Sequence, residues 1–235
     1  MSAPLNYDVI SFDLDGTLVD TASEIAEAAN RALEQHGIPR RPPAEIAQLI
    51  GAGTRELMLK LLARAILERS ELAQSVRADA LVASMDLHYA VTTGSSAVPY
   101  AGCHEALQRL KAAGLRLACV TNKEMRHTRR VLQVTRLDGY FDLVIGGDSL
   151  PEKKPHPSVL QHVVSSLNGS RDRCAHVGDS ATDVEAARSA GVAAWAVPYG
   201  YNSGVPILLA RPERIFAGLL QVAAHVLADR MPPAA

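Results

Sequence analysis

A strand with no helix of its own to cover it constrains this chain most. The run Val9-Ile10-Ser11-Phe12 is short, apolar and β-branched, and it breaks off at Asp13-Leu14-Asp15-Gly16-Thr17, a polar loop with a turn glycine. That pattern predicts a buried strand feeding a loop. No partner strand follows. From Thr21 to His36 the apolar positions Ile25, Ala28, Ala29, Ala32 and Leu33 keep a helical period, with Gly37 as a stop and Pro39 just beyond. Further helical stretches run from about Pro43 to Ile50, from Thr54 to Leu67 and from Glu71 to Tyr89, so residues 20–97 read as helix throughout.

After Thr92-Thr93-Gly94-Ser95-Ser96 the pattern changes. Helices His104 to Ala113, Arg126 to Val134, Ser158 to Leu167 and Thr182 to Ala190 alternate with strands Leu115 to Val120, Leu143 to Ile145, Cys174 to Val177 and Ala193 to Val197, before a last helix from Pro212 to Leu227. Alternation of this kind implies βαβ units and a parallel sheet covered on both faces. The economical solution places Val9 to Phe12 in that same sheet. Residues 1–18 and 99–235 then form an α/β core of the Rossmann-like kind, and 19–98 form an inserted all-helical domain. The tail Met231-Pro-Pro-Ala-Ala235 is expected to fray.

Composition removes several function classes. Among 235 residues, Lys+Arg 24 against Asp+Glu 25 gives a net charge of −1, so no overall field recruits nucleic acid or an anionic membrane. Aromatics at 4% leave little for a base-stacking surface. Cys103, Cys119 and Cys174 are far apart with no C-x-x-C pair, which argues against a zinc ribbon or a disulfide framework and for a reducing compartment. No signal peptide is legible, and no apolar run approaches the ~20 residues that span a bilayer. The expectation is a soluble cytoplasmic protein.

In a parallel α/β sheet, polar groups at the carboxyl ends of the strands converge on one crevice. Here those ends carry Asp13 and Asp15, Thr121 and Asn122, Lys153 and Lys154, and Asp179 with Asp183. Each alone has an ordinary explanation as a turn, a cap or a solvated charge. Together they crowd carboxylates beside a lysine, a conflict that a divalent cation resolves. Oxygen-only ligation with positions left for water and a phosphate oxygen suits Mg²⁺.

The residues also match a known pattern. Asp13-Leu14-Asp15-Gly16-Thr17-Leu18 resembles the D-x-D-G-T-L signature of haloacid dehalogenase (HAD) superfamily phosphatases. Val120-Thr121-Asn122-Lys123, Lys154-Pro155-His156-Pro157 and Gly178-Asp179-Ser180-Ala181-Thr182-Asp183 resemble the second, third and fourth motifs, in order. The helical insertion lies where that family carries a helical cap. The resemblance implies Asp13 as a nucleophile forming an aspartyl-phosphate, and Asp15 as the acid and base. It implies Mg²⁺ on Asp13, Asp179 and the Asp15 backbone carbonyl, with Asp183 behind them holding a metal water or orienting Lys154. Thr121 and the Asn122 backbone N–H would hold phosphate oxygens. Lys154, rather than Lys153 or Lys123, would neutralise the nucleophile and the transferring group. His156 is read as positioning its loop.

Asp15 argues against a dehalogenase, because halide departure leaves no alkoxide to protonate. Within the helical segment, Ile50-Gly51-Ala52-Gly53-Thr54-Arg55 is either an ordinary interhelical turn or a specificity loop in which Gly53 lies against the substrate and Arg55 receives a carboxylate. This loop, Val144-Ile145-Gly146-Gly147-Asp148 and Tyr199-Gly200-Tyr201-Asn202 resemble the phosphoglycolate phosphatases of the superfamily, implying hydrolysis of 2-phosphoglycolate to glycolate and phosphate. The alternatives are a sugar-phosphate phosphatase or phosphomutase on the same scaffold, and a non-catalytic phosphate-binding module. The partner expected is a small phosphorylated, carboxylate-bearing metabolite, with neither nucleic acid nor membrane, for a monomer or homodimer.

Overall fold

In the computed structural model, which describes residues 6–228, a six-stranded sheet carries the chemistry-bearing loops. Its order is β5-β4-β1-β6-β7-β8, from β1 (Val9–Phe12), β4 (Arg116–Val120), β5 (Leu143–Ile145), β6 (Cys174–Gly178), β7 (Ala193–Ala196) and β8 (Arg214–Ile215). Every pairing in it is parallel, so β1 sits inside the sheet between β4 and β6 as its burial demands. The residues 1–5 and 229–235, including the tail expected to fray, lie outside the described residues.

The period of two along the strands sorts side chains onto two layers. Ile10, Phe12, Leu117, Cys119, Ala175, Val177 and Trp195 pack with α6 (Cys103–Ala112), α7 (Met125–Val134) and α10 (Leu219–Ala228). Val9, Ala118, Val120, Cys174, Ala194 and Ala196 face α8 (Ser158–Ser166) and α9 (Ala181–Ala190). All three cysteines are buried and free, as the spacing argument expected.

The chain leaves the sheet through β2 (Val19–Asp20) and returns through β3 (Val98–Pro99), and these two short strands pair antiparallel, Val19 with Pro99 and Asp20 with Val98. Between them, α1 (Ala22–Gln35), α2 (Pro43–Ala47), α3 (Thr54–Glu68), α4 (Leu72–Ser75) and α5 (Ala78–Thr92) bury their own cluster around Leu33, Met58, Leu61, Met85 and Tyr89. Three boundaries differ from the sequence reading. The stretch from Glu71 to Tyr89 is broken by extended backbone at Val76 and Arg77. The helix begun at Pro43 ends at Ala47, before the glycine loop. The last helix begins at Leu219 rather than Pro212, because residues 214–215 form β8 on the edge beside β7. None of the described helices is long and apolar enough to cross a membrane.

Where the helical layer meets the sheet layer, His127 on α7 is buried. Its Nδ1 lies 2.8 Å from Thr93 Oγ1 and its ring 4.4 Å from that of Tyr89. Burial pushes the imidazole down to about 4, only partly offset by Glu124. A folded state that refuses this proton is stable above the unfolded value near 6.5 and loses stability as pH falls toward 4. Replacing His127 with Phe should therefore flatten the fall in urea midpoint between pH 7 and pH 4.5, by a term on the order of 2 kcal/mol. An unchanged pH slope would contradict this account.

Candidate active site

The loops after β1, β4, β5 and β6 bring the sequence-marked residues into one crevice at the carboxyl edge of the sheet, where the turn after β1 lies beside those after β4 and β6. Lys154 is its hub. The buried ammonium donates to Asp13 Oδ1 at 2.9 Å, Asp183 Oδ1 at 2.7 Å and the Val120 carbonyl at 2.6 Å. These three acceptors use the three N–H bonds a lysine has. Burial alone would depress such an ammonium, but Asp13 and Asp183 outweigh it and hold the lysine charged.

The three carboxylates around it are not equivalent. Asp183 Oδ1 takes Lys154 and His176 Nε2 (3.2 Å), while Oδ2 takes the Ser180 N–H and hydroxyl in a capping box at the start of α9. Burial raises its pKa, but the lysine and histidine overcome that and leave it well below the usual carboxylate range. Asp13 is pushed up to about 7, first by burial and then by the neighbouring Asp183 charge, against the pull of Lys154. Asp179 is raised well above its ordinary value by burial and by Asp183 and Asp13. It accepts from Thr17 Oγ1 at 3.1 Å and the Tyr201 N–H at 2.6 Å.

Burial is the first cause of both raised values, and the neighbouring carboxylate charges add to it. One oxygen each of Asp13, Asp179 and Asp183 lies within 4.8 Å of the others, a hard, oxygen-only donor set that fits a divalent cation. Asp183 already has its oxygens occupied by four donors, which leaves Asp13 and Asp179 as the available carboxylates. The turn after β1 is closed by N–H bonds from Gly16 to Val19 and from Leu18 and Val19 to Leu14, so the Asp15 carbonyl takes no part in it.

The three confusable lysines are resolved by contact. Lys154 holds Asp13. Lys123 lies 3.0 Å from Asp15 Oδ1, bonds the Tyr89 hydroxyl from α5 and sits 4.7 Å from the centre of that ring. Lys153 donates to the Ala52 carbonyl of the glycine loop at 2.7 Å. Asp15 also accepts from Thr21 Oγ1 at 2.6 Å. Neither Tyr89 nor Thr21 was singled out in the sequence, since a tyrosine on α5 and a threonine between β2 and α1 carry no local sign of where they dock.

A cavity of about 30 Å³ lies between the layers, lined on the sheet side by Asp13, Asp15, Thr121, Asn122 and Lys123 and on the helical side by Ile25, Ile50, Gly51, Gly53, Thr54 and Leu57. Gly53 is thus at the cavity as expected, with φ at +94° and its carbon 3.1 Å from the Asn122 carbonyl if a methyl were added. The Asn122 side chain donates to the Gly51 and Lys154 carbonyls, and Thr54 Oγ1 donates to Glu124 at 2.6 Å. Arg55 stands apart. Its side chain is 58% exposed, reaches Asp79 at 3.5 Å and is absent from the cavity wall, because one step along α3 from Thr54 turns it outward. His156 faces Ser158 at the start of α8 and likewise stays out of the crevice.

The Tyr199-Gly200-Tyr201-Asn202 loop wraps the metal side. Tyr199 donates to the Thr17 carbonyl, Tyr201 donates to Asp20 and accepts from the Thr21 N–H, and Asn202 accepts from the Ala181 N–H. A methyl at Gly200 would stand 2.1 Å from Asp179 Oδ2. Gly200→Ala should therefore displace Asp179 and weaken the binding of a divalent cation about tenfold in a calorimetric titration; unchanged affinity would mean that Asp179 is not a ligand.

With this geometry in hand, known proteins fall into a consistent group. The family model for haloacid dehalogenase-like hydrolases matches residues 7–191. A phosphoglycolate phosphatase of Nitrosospira multiformis is 40% identical over 207 residues, covering 87% of this chain and 88% of that one. A plasmid-borne phosphoglycolate phosphatase of Cupriavidus necator is 39% identical over 227 residues, 96% of each. The crystal structure of a predicted phosphoglycolate phosphatase from Haemophilus somnus superposes with a TM-score of 0.85 at 31% identity, over 94% of this chain and 98% of that one. The motifs, the parallel sheet that gathers them and the match over most of its length agree: this chain belongs to the haloacid dehalogenase-like hydrolases.

Proposed function

We propose that this protein hydrolyses 2-phosphoglycolate to glycolate and phosphate through an aspartyl-phosphate on Asp13, with residues 19–98 acting as the cap over a core of 1–18 and 99–235. The observation that carries the reading is Asp13 held by one oxygen on Lys154 at the floor of a cavity that Asp15 also lines. The relatives named for phosphoglycolate supply the substrate. Asp13 attacks phosphorus as the bond to the glycolate oxygen breaks, and Asp15 delivers a proton to that oxygen. Water then attacks the acyl phosphate, Asp15 takes its proton, and phosphate leaves. Thr121 and the Asn122 N–H receive phosphoryl oxygens, and Lys154 offsets their charge. Mg²⁺, on Asp13, Asp179 and the Asp15 carbonyl, supplies charge neutralisation at the transferring group when bound.

A cavity of about 30 Å³ has room for one or two waters. Admission of substrate therefore requires the helical layer to move back from the sheet. With Arg55 outside, Lys123 is the one cationic side chain on the cavity wall and the counterpart for a carboxylate. Ile25, Ile50 and Leu57 make much of the helical side of the wall apolar, which favours a small substrate over a sugar phosphate with many hydroxyls to satisfy.

Rates across 2-phosphoglycolate, hexose phosphates and amino-sugar phosphates test the substrate; equal turnover of all of them refutes the glycolate assignment. Asp13→Asn should lower kcat by about three orders of magnitude or more without unfolding, and chelation should abolish turnover reversibly on readdition of Mg²⁺. Activity that survives Asp13→Asn excludes the covalent route. Arg55→Ala should leave kcat/KM within about twofold of wild type. A large rise in KM for phosphoglycolate alone would return Arg55 to the site.

A further inference from the structure

Beneath Lys154 the sheet carries two polar side chains where the pattern calls for apolar ones. Ser11 and His176 are register partners on β1 and β6 and face the layer otherwise formed by Val9, Ala118, Val120, Ala194 and Ala196. Both are buried, His176 completely. Polar groups placed there cost free energy unless every bond is made. They are made: Ser11 Oγ has its one proton to give, with His176 Nδ1 at 2.9 Å the nearer acceptor and the Ala175 carbonyl at 3.2 Å the farther, and His176 Nε2 lies 3.2 Å from Asp183 Oδ1. Burial, the largest influence, pushes the imidazole down and keeps it neutral. A neutral ring against a carboxylate carries its proton on Nε2, so Nδ1 accepts from Ser11.

Ser11, His176 and Asp183 have the order of a hydrolytic triad, but Ser11 is in mid-strand and absent from the cavity wall, so it meets no substrate. The row leads elsewhere. From Asp183 it continues to Lys154 and Asp13, and returns to β1 two residues beyond where it began. Asp183 Oδ1 is shared between one lysine and one histidine, and without the histidine only the lysine bond fixes where that oxygen points.

We propose that His176 is a positioning residue for the reaction: its Nε2–H fixes Asp183 on Lys154, and thereby sets the tripod that presents Asp13. This rests on the phosphatase reading and extends it to a residue that touches neither substrate nor cation. A glutamine can place its amide nitrogen where Nε2 lies, an asparagine reaches only the Nδ1 position, and leucine offers no donor.

The test measures kcat and KM on 2-phosphoglycolate and p-nitrophenyl phosphate for His176→Gln, His176→Asn and His176→Leu, with thermal melting as a check on folding. His176→Gln should keep kcat within about threefold, while the other two lose about tenfold or more with KM little changed. If His176→Leu fails to fold, the contrast between Gln and Asn decides. Equal kcat for Gln and Asn overturns the proposal, as does a folded His176→Leu with wild-type kcat. A wild-type protein that hydrolyses neither ester overturns the function and this role together, whereas an active wild type with indifferent variants overturns this role alone.

Discussion

The ammonium of Lys154 is the interaction on which the site depends. It takes charge from two strands and a helix: Asp13 after β1, the Val120 carbonyl at the end of β4, and Asp183 at the start of α9. A buried charge with three donors must find three acceptors, and here each belongs to a different element. The lysine therefore fixes the relative placement of those elements as much as it serves chemistry. It also divides the acidic cluster, drawing Asp183 down while burial keeps Asp13 and Asp179 above the usual carboxylate range.

The same crevice is closed from the other side by a second lysine. Lys123 joins Asp15 to Tyr89, so the residue assigned to proton transfer is tied to α5, while Lys153, Asn122 and Glu124 hold the glycine loop before α3. Burying these groups between layers excludes water and strengthens each electrostatic contact. The near-balance of charge in the whole chain conceals this local arrangement, in which Lys123 faces Asp15 on the cavity wall and Lys154 holds Asp13 behind it.

Much of this was legible in the sequence because it is local. The strand at Val9, the turn with Asp13 and Asp15, and the motifs ending β4 and β6 are each written in a few adjacent residues, and the alternation after residue 98 dictates a parallel sheet. For Arg55 the loop pattern left two readings open, because a loop reaching the cavity need not carry its next helical residue there: each step around α3 turns the side chain by about 100°. Tyr89 and Thr21 were missed because their partners lie on other elements, 34 residues away for Tyr89. The edge strand β8 has two residues and too little pattern to betray itself.

Strand parity links these observations. Along β1 the alternation that sends Ile10 and Phe12 toward α6 and α10 sends Val9 and Ser11 toward α8 and α9, and Asp13 continues that face past the strand end to meet Lys154. In a parallel sheet, register then decides which residue of β6 stands beside Ser11, and it is His176. A one-residue slip would bring Ala175 there and turn the histidine into the apolar layer around Trp195, where no carboxylate could receive it. The polar row is thus compatible with one register only, so the residues that aim the nucleophile also specify how its strand is paired.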